Sequence, residues 1–249
     1  MKQKNTLTTM PQLLGPCIQA GWFTPEETAD IVAVSYKYDI GVFIRLAIDT
    51  GLSIDEIKGL RWDSLVYELG SDYEYYDLFI KEVRYDYPLT LCDNPNSLRL
   101  KTGCIRRLCI PVKTGRELLQ WCKLHTIRNT PYMLVDENGD LMEGDRFSEK
   151  YMQVIDEANA MPLGFEALRN TFVFNALDAG LSSDVIGLIL GLQPSYQLSV
   201  AEAAQIKQQL ACGFPSSQIE VFPTVDETPI NPKMMNNFWN NGGIFWPRS

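Results

Sequence analysis

The chain has no run of 18 apolar residues, and its first residues, Met1 to Thr6, lack the apolar core of a secretory signal. The expectation is a cytoplasmic protein with no membrane partner. Histidine is nearly absent: His125 is the single one. The six cysteines (Cys17, Cys92, Cys104, Cys109, Cys122, Cys212) include no CxxC pair, and only His125 could join them as a ligand. Free buried thiols in a reducing compartment are expected, with no metal site, disulfide or cofactor. An excess of positive charge is missing too. The net charge of −9 argues against a dedicated DNA binder, which would normally be basic.

What is present is ordinary globular material, 45% hydrophobic and 21% charged over 249 residues, enough for one sizeable core. The charge is unevenly placed. Residues 99–128 carry eight Lys/Arg and one acid, a local +7, while 63–93 and 129–160 each carry eight acids and two bases. A basic face on an acidic body can touch phosphates, but long-range repulsion lowers affinity.

Residues 164–192 organise the chain. They read as two helices joined at Ala179-Gly180. Phe165, Leu168, Phe172, Ala176 and Leu177 recur at helical spacing on one buried face. Gly180 supplies the residue without Cβ that ends the first helix. Ser182 or Ser183 caps the second, whose apolar face is Val185, Ile186, Ile189 and Leu190. Arg169 stands among these apolar positions. A guanidinium there is either a paired structural ion or an anion-binding group.

Three stretches resemble the tyrosine recombinases, the phage-integrase family. Leu168-Arg169-Asn170-Thr171-Phe172 followed by Leu190-Gly191-Leu192 is similar to the family's His-x-Leu-Arg-His-Thr-Phe and Leu-Gly-His/Trp. Residues 46–65, with Thr50-Gly51-Leu52-Ser53 and Glu56, look like its Thr-Gly-Leu-Arg-x-x-Glu box. Lys101-Thr102-Gly103 with Arg106-Arg107 and Ile110-Pro111 resembles its lysine hairpin. The resemblance implies an α+β, mostly helical tyrosine-recombinase catalytic-domain fold with one small antiparallel sheet.

It also implies a chemistry: attack of a tyrosine on a DNA phosphodiester, with two arginines, a lysine and His/Trp-type groups stabilising the transition state. Arg169 and Lys101 retain family positions. Ser53 replaces the first arginine, Glu166 a histidine, Asn170 a second histidine and Leu192 the His/Trp donor. Ala201 stands where the nucleophile is expected, and Tyr196 is the one shifted candidate. Glu166 and Arg169, three apart on a helix, are expected to pair and close the phosphate pocket. Arg99, Lys101, Arg106, Arg107 and Arg169 are the candidate DNA contacts.

Along the chain, residues 1–22 read as an N-terminal extension, 23–212 as the integrase-like domain and 213–249 as an extended tail with Phe238, Trp239, Phe245 and Trp246. Thr24-Pro25-Glu26-Glu27 and Ser53-Ile54-Asp55-Glu56 are capping boxes that open helices. Helices are expected at 39–50, 114–125, 147–158 and 200–210. Strands are expected at 65–67, 78–80, 106–110 and 132–135, with a Tyr-rich, acidic insertion from Asp72 to Pro95.

The functional expectation is an integrase-like protein of a mobile element that is dead for cleavage. It retains at most weak binding to double-stranded DNA or assembly with an active recombinase, and self-association through the tail is a further partner reading. The alternative is a protein-interaction scaffold of the same fold that binds no DNA. A third reading is an active recombinase using Tyr196 or a partner's tyrosine.

Overall fold

The computed structural model describes residues 21–69, 74–84, 106–125, 127–192 and 197–214. Thr24 caps α1 (Pro25–Ser35) with the full reciprocal box: its hydroxyl accepts from Glu27 N–H, and the Glu27 carboxylate accepts from Thr24 N–H. A 3₁₀ turn (Tyr36–Tyr38) leads into α2 (Gly41–Thr50), then α3 (Ile54–Lys58). Strands β1 (Leu65–Leu69), β2 (Glu74–Ile80) and β3 (Arg106–Ile110) form one antiparallel sheet in that order. There follow α4 (Val112–Leu124), α5 (Gly144–Glu157), α6 (Glu166–Asp178), α7 (Ser183–Ile189) and α8 (Val200–Cys212). The architecture is a mostly helical α+β domain, as expected.

All ten residues of α2 are buried, so it is the axis of the core and packs against α1, α4 and α6. A helix buried all round is normally apolar all round. Here Arg45, Asp49 and Thr50 are exceptions, and each has partners. Arg45 Nε lies 3.1 Å from Glu117 of α4 and donates to the Tyr36 hydroxyl at 3.2 Å. The Tyr36 hydroxyl in turn donates to Glu117, and Thr114 donates to Asp49. Burial pushes the Tyr36 phenol well above its ordinary pKa, and the adjacent Glu117 carboxylate adds to this.

In the sheet, Leu78 of β2 sits opposite both Leu65 and Leu108. Tyr76, Leu78, Ile80, Leu108 and Ile110 are buried in the core, and Gly115 of α4 admits the Tyr76 ring; a Cβ there would stand 2.3 Å from it. Tyr76, from the Tyr-rich insertion, is therefore a core residue. The expected strand at 132–135 is not one. Tyr132 and Val135 make only isolated bridges, to Arg61 and Leu141, because residues 136–140 fold back in a tight turn around Asp136. Gly139 in that turn has φ +79°, the left-handed region that favours glycine.

Of the thiols, Cys122 is buried and pushed up to about 12 by desolvation, and Cys109 is half-buried and raised likewise. Cys212 is exposed on α8, contrary to the expectation of uniformly buried cysteines. Cys17, Cys92 and Cys104, residues 1–20 of the N-terminal extension and the tail beyond residue 214 lie outside the described residues. Among the described residues, no helix is long and apolar enough to cross a membrane.

The buried network around α2 predicts its own fragility. Arg45→Met leaves Glu117 without its cation at a nearly closed site and should cost about 3 kcal/mol in urea denaturation. A loss under about 1 kcal/mol would mean the network contributes little.

Candidate nucleic-acid interface

Ser53, Arg169 and the Leu190-Gly191-Leu192 turn are brought together by one glycine. Gly51 ends α2 at φ +67°, and a Cβ on it would stand 2.5 Å from Leu190 and 2.6 Å from Phe172. Only a residue without a side chain lets the end of α2 approach α6 and α7 this closely. The next turn starts α3. Its N-cap is Ser53, whose hydroxyl accepts from Glu56 N–H at 3.3 Å, while the Glu56 carboxylate accepts from Ser53 N–H at 2.9 Å.

Glu56 does more than cap. It is 4% exposed, and both its oxygens carry cations. Arg169 Nη1 donates to Oε2 at 3.3 Å, and Arg106 Nη2 lies 2.7 Å from Oε1. Arg169 Nη2 also donates to the Leu190 carbonyl at 3.3 Å. One carboxylate thus ties α3 to α6 and to β3. The expected Glu166–Arg169 pair is not formed: the guanidinium points into the core, toward Glu56, while Glu166 is exposed at the start of α6. Surrounding protein raises the Glu166 pKa, with Arg169 opposing and Asp55 and Glu56 adding to the rise.

The remaining site positions fill structural roles. The Asn170 side-chain amide donates to the Gly21 carbonyl at 2.7 Å, and the Thr171 hydroxyl accepts from Phe23 N–H at 3.0 Å, so α6 holds residues 21–23 in place. Trp22 stacks on Phe174 beside them, ring centroids 3.9 Å apart. Leu192 is half-buried against the core and offers no donor. Ala201 is exposed in the first turn of α8, which Ser199 caps. Lys101, Arg99 and Tyr196 lie outside the described residues.

Arg106 and Arg107 do not act as a pair. Successive strand residues point to opposite faces. Arg106 shares the inward face with Leu108 and Ile110 and reaches Glu56. Arg107 faces outward, where its Nε donates to buried Asp77 at 2.8 Å and its guanidinium lies over Phe79. Lys207 of α8 approaches the same Asp77 carboxylate at 3.5 Å. Arg128, also from the basic stretch, donates to the carbonyls of His125 and Cys122 and stacks over Trp62. Arg106, Arg107 and Arg128 of the +7 block therefore have intramolecular partners. Glu56 is the site residue that sequence reading left as a simple cap. The available signal was its place in the Thr-Gly-Leu box.

No family model matches this sequence, and no curated protein matches it. Solved structures do. The XerH site-specific recombinase bound to its difH substrate in a pre-cleavage complex superimposes with a TM-score of 0.53, at 12% identity, over 76% of this chain and 50% of that one. XerH in a post-cleavage complex with palindromic difH gives 0.54, at 14% identity, over 84% of this chain and 59% of that one. The Tn1549 transposon integrase bound to transposon right-end DNA is more distant, at 0.43 and 14% identity. This chain therefore has the fold of a tyrosine-recombinase catalytic domain, and it spans half to three-fifths of the length of the XerH chains it matches.

The two glutamates should separate cleanly in equilibrium unfolding. Glu56→Gln removes the carboxylate facing two buried guanidiniums and should cost at least about 2 kcal/mol. Glu166→Gln, at the exposed helix start, should change stability by less than about 0.5 kcal/mol. The reverse order would restore Glu166 as the partner of Arg169.

Proposed function

We propose that this chain is a tyrosine-recombinase-fold protein of the mobile-element integrase type that does not cleave DNA and retains contact with the DNA backbone near Arg169. The observation that carries this reading is the Ser53–Glu56–Arg169 arrangement. Where the family chemistry needs a first arginine, a helix cap stands, and a neutral hydroxyl cannot replace a guanidinium at a phosphate. Asn170 holds the chain at Gly21, Leu192 has no donor, and Ala201 has no nucleophile. Removing one donor to developing charge typically costs about 10²–10³ in rate, and here several are missing at once.

The tyrosine that remains near the expected place is Tyr196. Incubation with a nicked suicide duplex, followed by a denaturing gel, should give no covalent protein–DNA adduct. An adduct abolished by Tyr196→Phe would overturn the proposal.

The scaffold reading draws on the intramolecular pairing of Arg107 and Arg128, which thins the positive face of an acidic protein. The two readings differ in salt dependence. A backbone contact through one or two phosphates should give a slope of log K against log[salt] of about −1 to −2 for a duplex. Titration by fluorescence anisotropy at three salt concentrations reads it, and no binding even at low salt would favour the scaffold.

A further inference from the structure

Trp22 is a surface tryptophan whose backbone is fixed on both sides. It is 44% exposed. Asn170 donates to the Gly21 carbonyl, and Thr171 accepts from Phe23 N–H, so α6 grips the residue before it and the residue after it. The indole stacks on Phe174, which lies one helical turn beyond Asn170 on the same face of α6. The ring is thus packed on Phe174, and its remaining surface meets solvent.

The apolar surface extends beyond the indole. Gly21, at φ +82°, lies against Leu163, and a Cβ on it would stand 3.0 Å from Leu163 Cδ1. Met161 N–H donates to Glu27 at 3.0 Å, which sets the turn before α6 against the start of α1. Met161 is 56% exposed, Pro162 is exposed, and Leu163 and Phe174 are half-buried. Exposed apolar side chains scattered singly are normal on a protein surface. These come from three segments that stacking and hydrogen bonds hold together. The charge those segments bring has one sign. Residues 21–36 and 160–182 hold a single Lys or Arg, Arg169, and its guanidinium is buried on Glu56. Glu26, Glu166 and Asp178 are exposed. The Thr24 N–H holds the Glu27 carboxyl below the usual carboxylate range, so it stays charged. Such a surface repels phosphates and favours Lys and Arg.

We propose that this surface docks a segment of a partner protein that carries large apolar side chains flanked by Lys or Arg. Trp22 is its anchor. A few aromatic residues carry most of the binding energy of an interface, and one already fixed by its backbone loses little freedom on binding. The carboxylates choose the sign of the partner's charge more than they add affinity. Asn170 and Thr171, which the sequence resemblance places in a reactive motif, here support a protein-binding residue. The inference goes beyond the backbone-contact reading and holds whether or not the chain also touches DNA.

The test uses the full chain and labelled synthetic amphipathic helices as probes, one of leucine and lysine, one of leucine and glutamate and one of alanine and lysine, read by anisotropy. The leucine–lysine helix should bind. Trp22→Ala should weaken that binding about tenfold, and Met161→Gln about threefold. Glu26→Gln with Asp178→Asn should weaken it about threefold. Leu124→Ser removes an exposed apolar side chain at the end of α4 and should change it less than about twofold. Met161→Gln decides the matter if Trp22→Ala fails to fold by circular dichroism. Equal binding of the alanine–lysine helix would reduce the contact to bulk charge, and equal binding of the leucine–glutamate helix would remove the charge selection; either overturns the proposal. So would no binding, or binding that the Trp22 and Met161 variants leave unchanged. Without peptide, the chain should sediment as a monomer whose Trp22 emission, taken as the difference from Trp22→Phe, is quenched by acrylamide. A Trp22-dependent dimer would give the surface to a second copy, and a shielded Trp22 in the monomer would mean that the chain covers it itself; both contradict a partner segment. Duplex binding and covalent cleavage are read separately, so failure here leaves the proposed function standing.

Discussion

One buried carboxylate holds the centre of this molecule. Glu56 accepts from the backbone of Ser53, faces Arg169 on α6 and faces Arg106 on β3. These elements are remote in sequence. An ion pair in the interior is stable only when its geometry is good and its remaining groups are bonded. Arg169 meets that condition through the Leu190 carbonyl, whereas Arg106 does not meet it fully.

The carboxylate can do this because the backbone has been brought to it. Gly51 permits the end of α2 to touch Phe172 and Leu190, and Gly191 permits the turn after α7 to touch Arg106. Around them α2 is buried on every side and satisfies its own polar residues through Glu117, Tyr36 and Thr114. The positions that the sequence resemblance marked for chemistry serve capping and packing in this structure. Ser53 caps a helix, Asn170 and Thr171 pin residues 21–23, and Leu192 packs on the core.

The parts of this arrangement that were legible in the sequence are local. Both capping boxes, the glycine stop at Gly51 and the strand at 106–110 follow from spacing within a few residues, while the strands expected at 65–67 and 78–80 run longer, to Leu69 and from Glu74. The parts that were not legible are tertiary. Glu166 lies three residues before Arg169 and is its natural helical neighbour, but the guanidinium points inward to a glutamate 113 positions away. Arg45 sits among apolar neighbours on α2 and finds its counter-ion only once α4 packs there. Arg106 and Arg107 look like a basic pair in the sequence. The two-residue period of β3 puts them on opposite faces, and only the fold brings Glu56 to one and Asp77 to the other.

A double-mutant cycle between Glu56→Gln and Arg169→Gln, read as stability in urea, tests the central claim most directly. If Glu56 is the partner that holds Arg169, the two losses are non-additive, with a coupling of about 2 kcal/mol. Losses that add to within about 0.5 kcal/mol would show that the two side chains do not depend on one another, and would contradict this account.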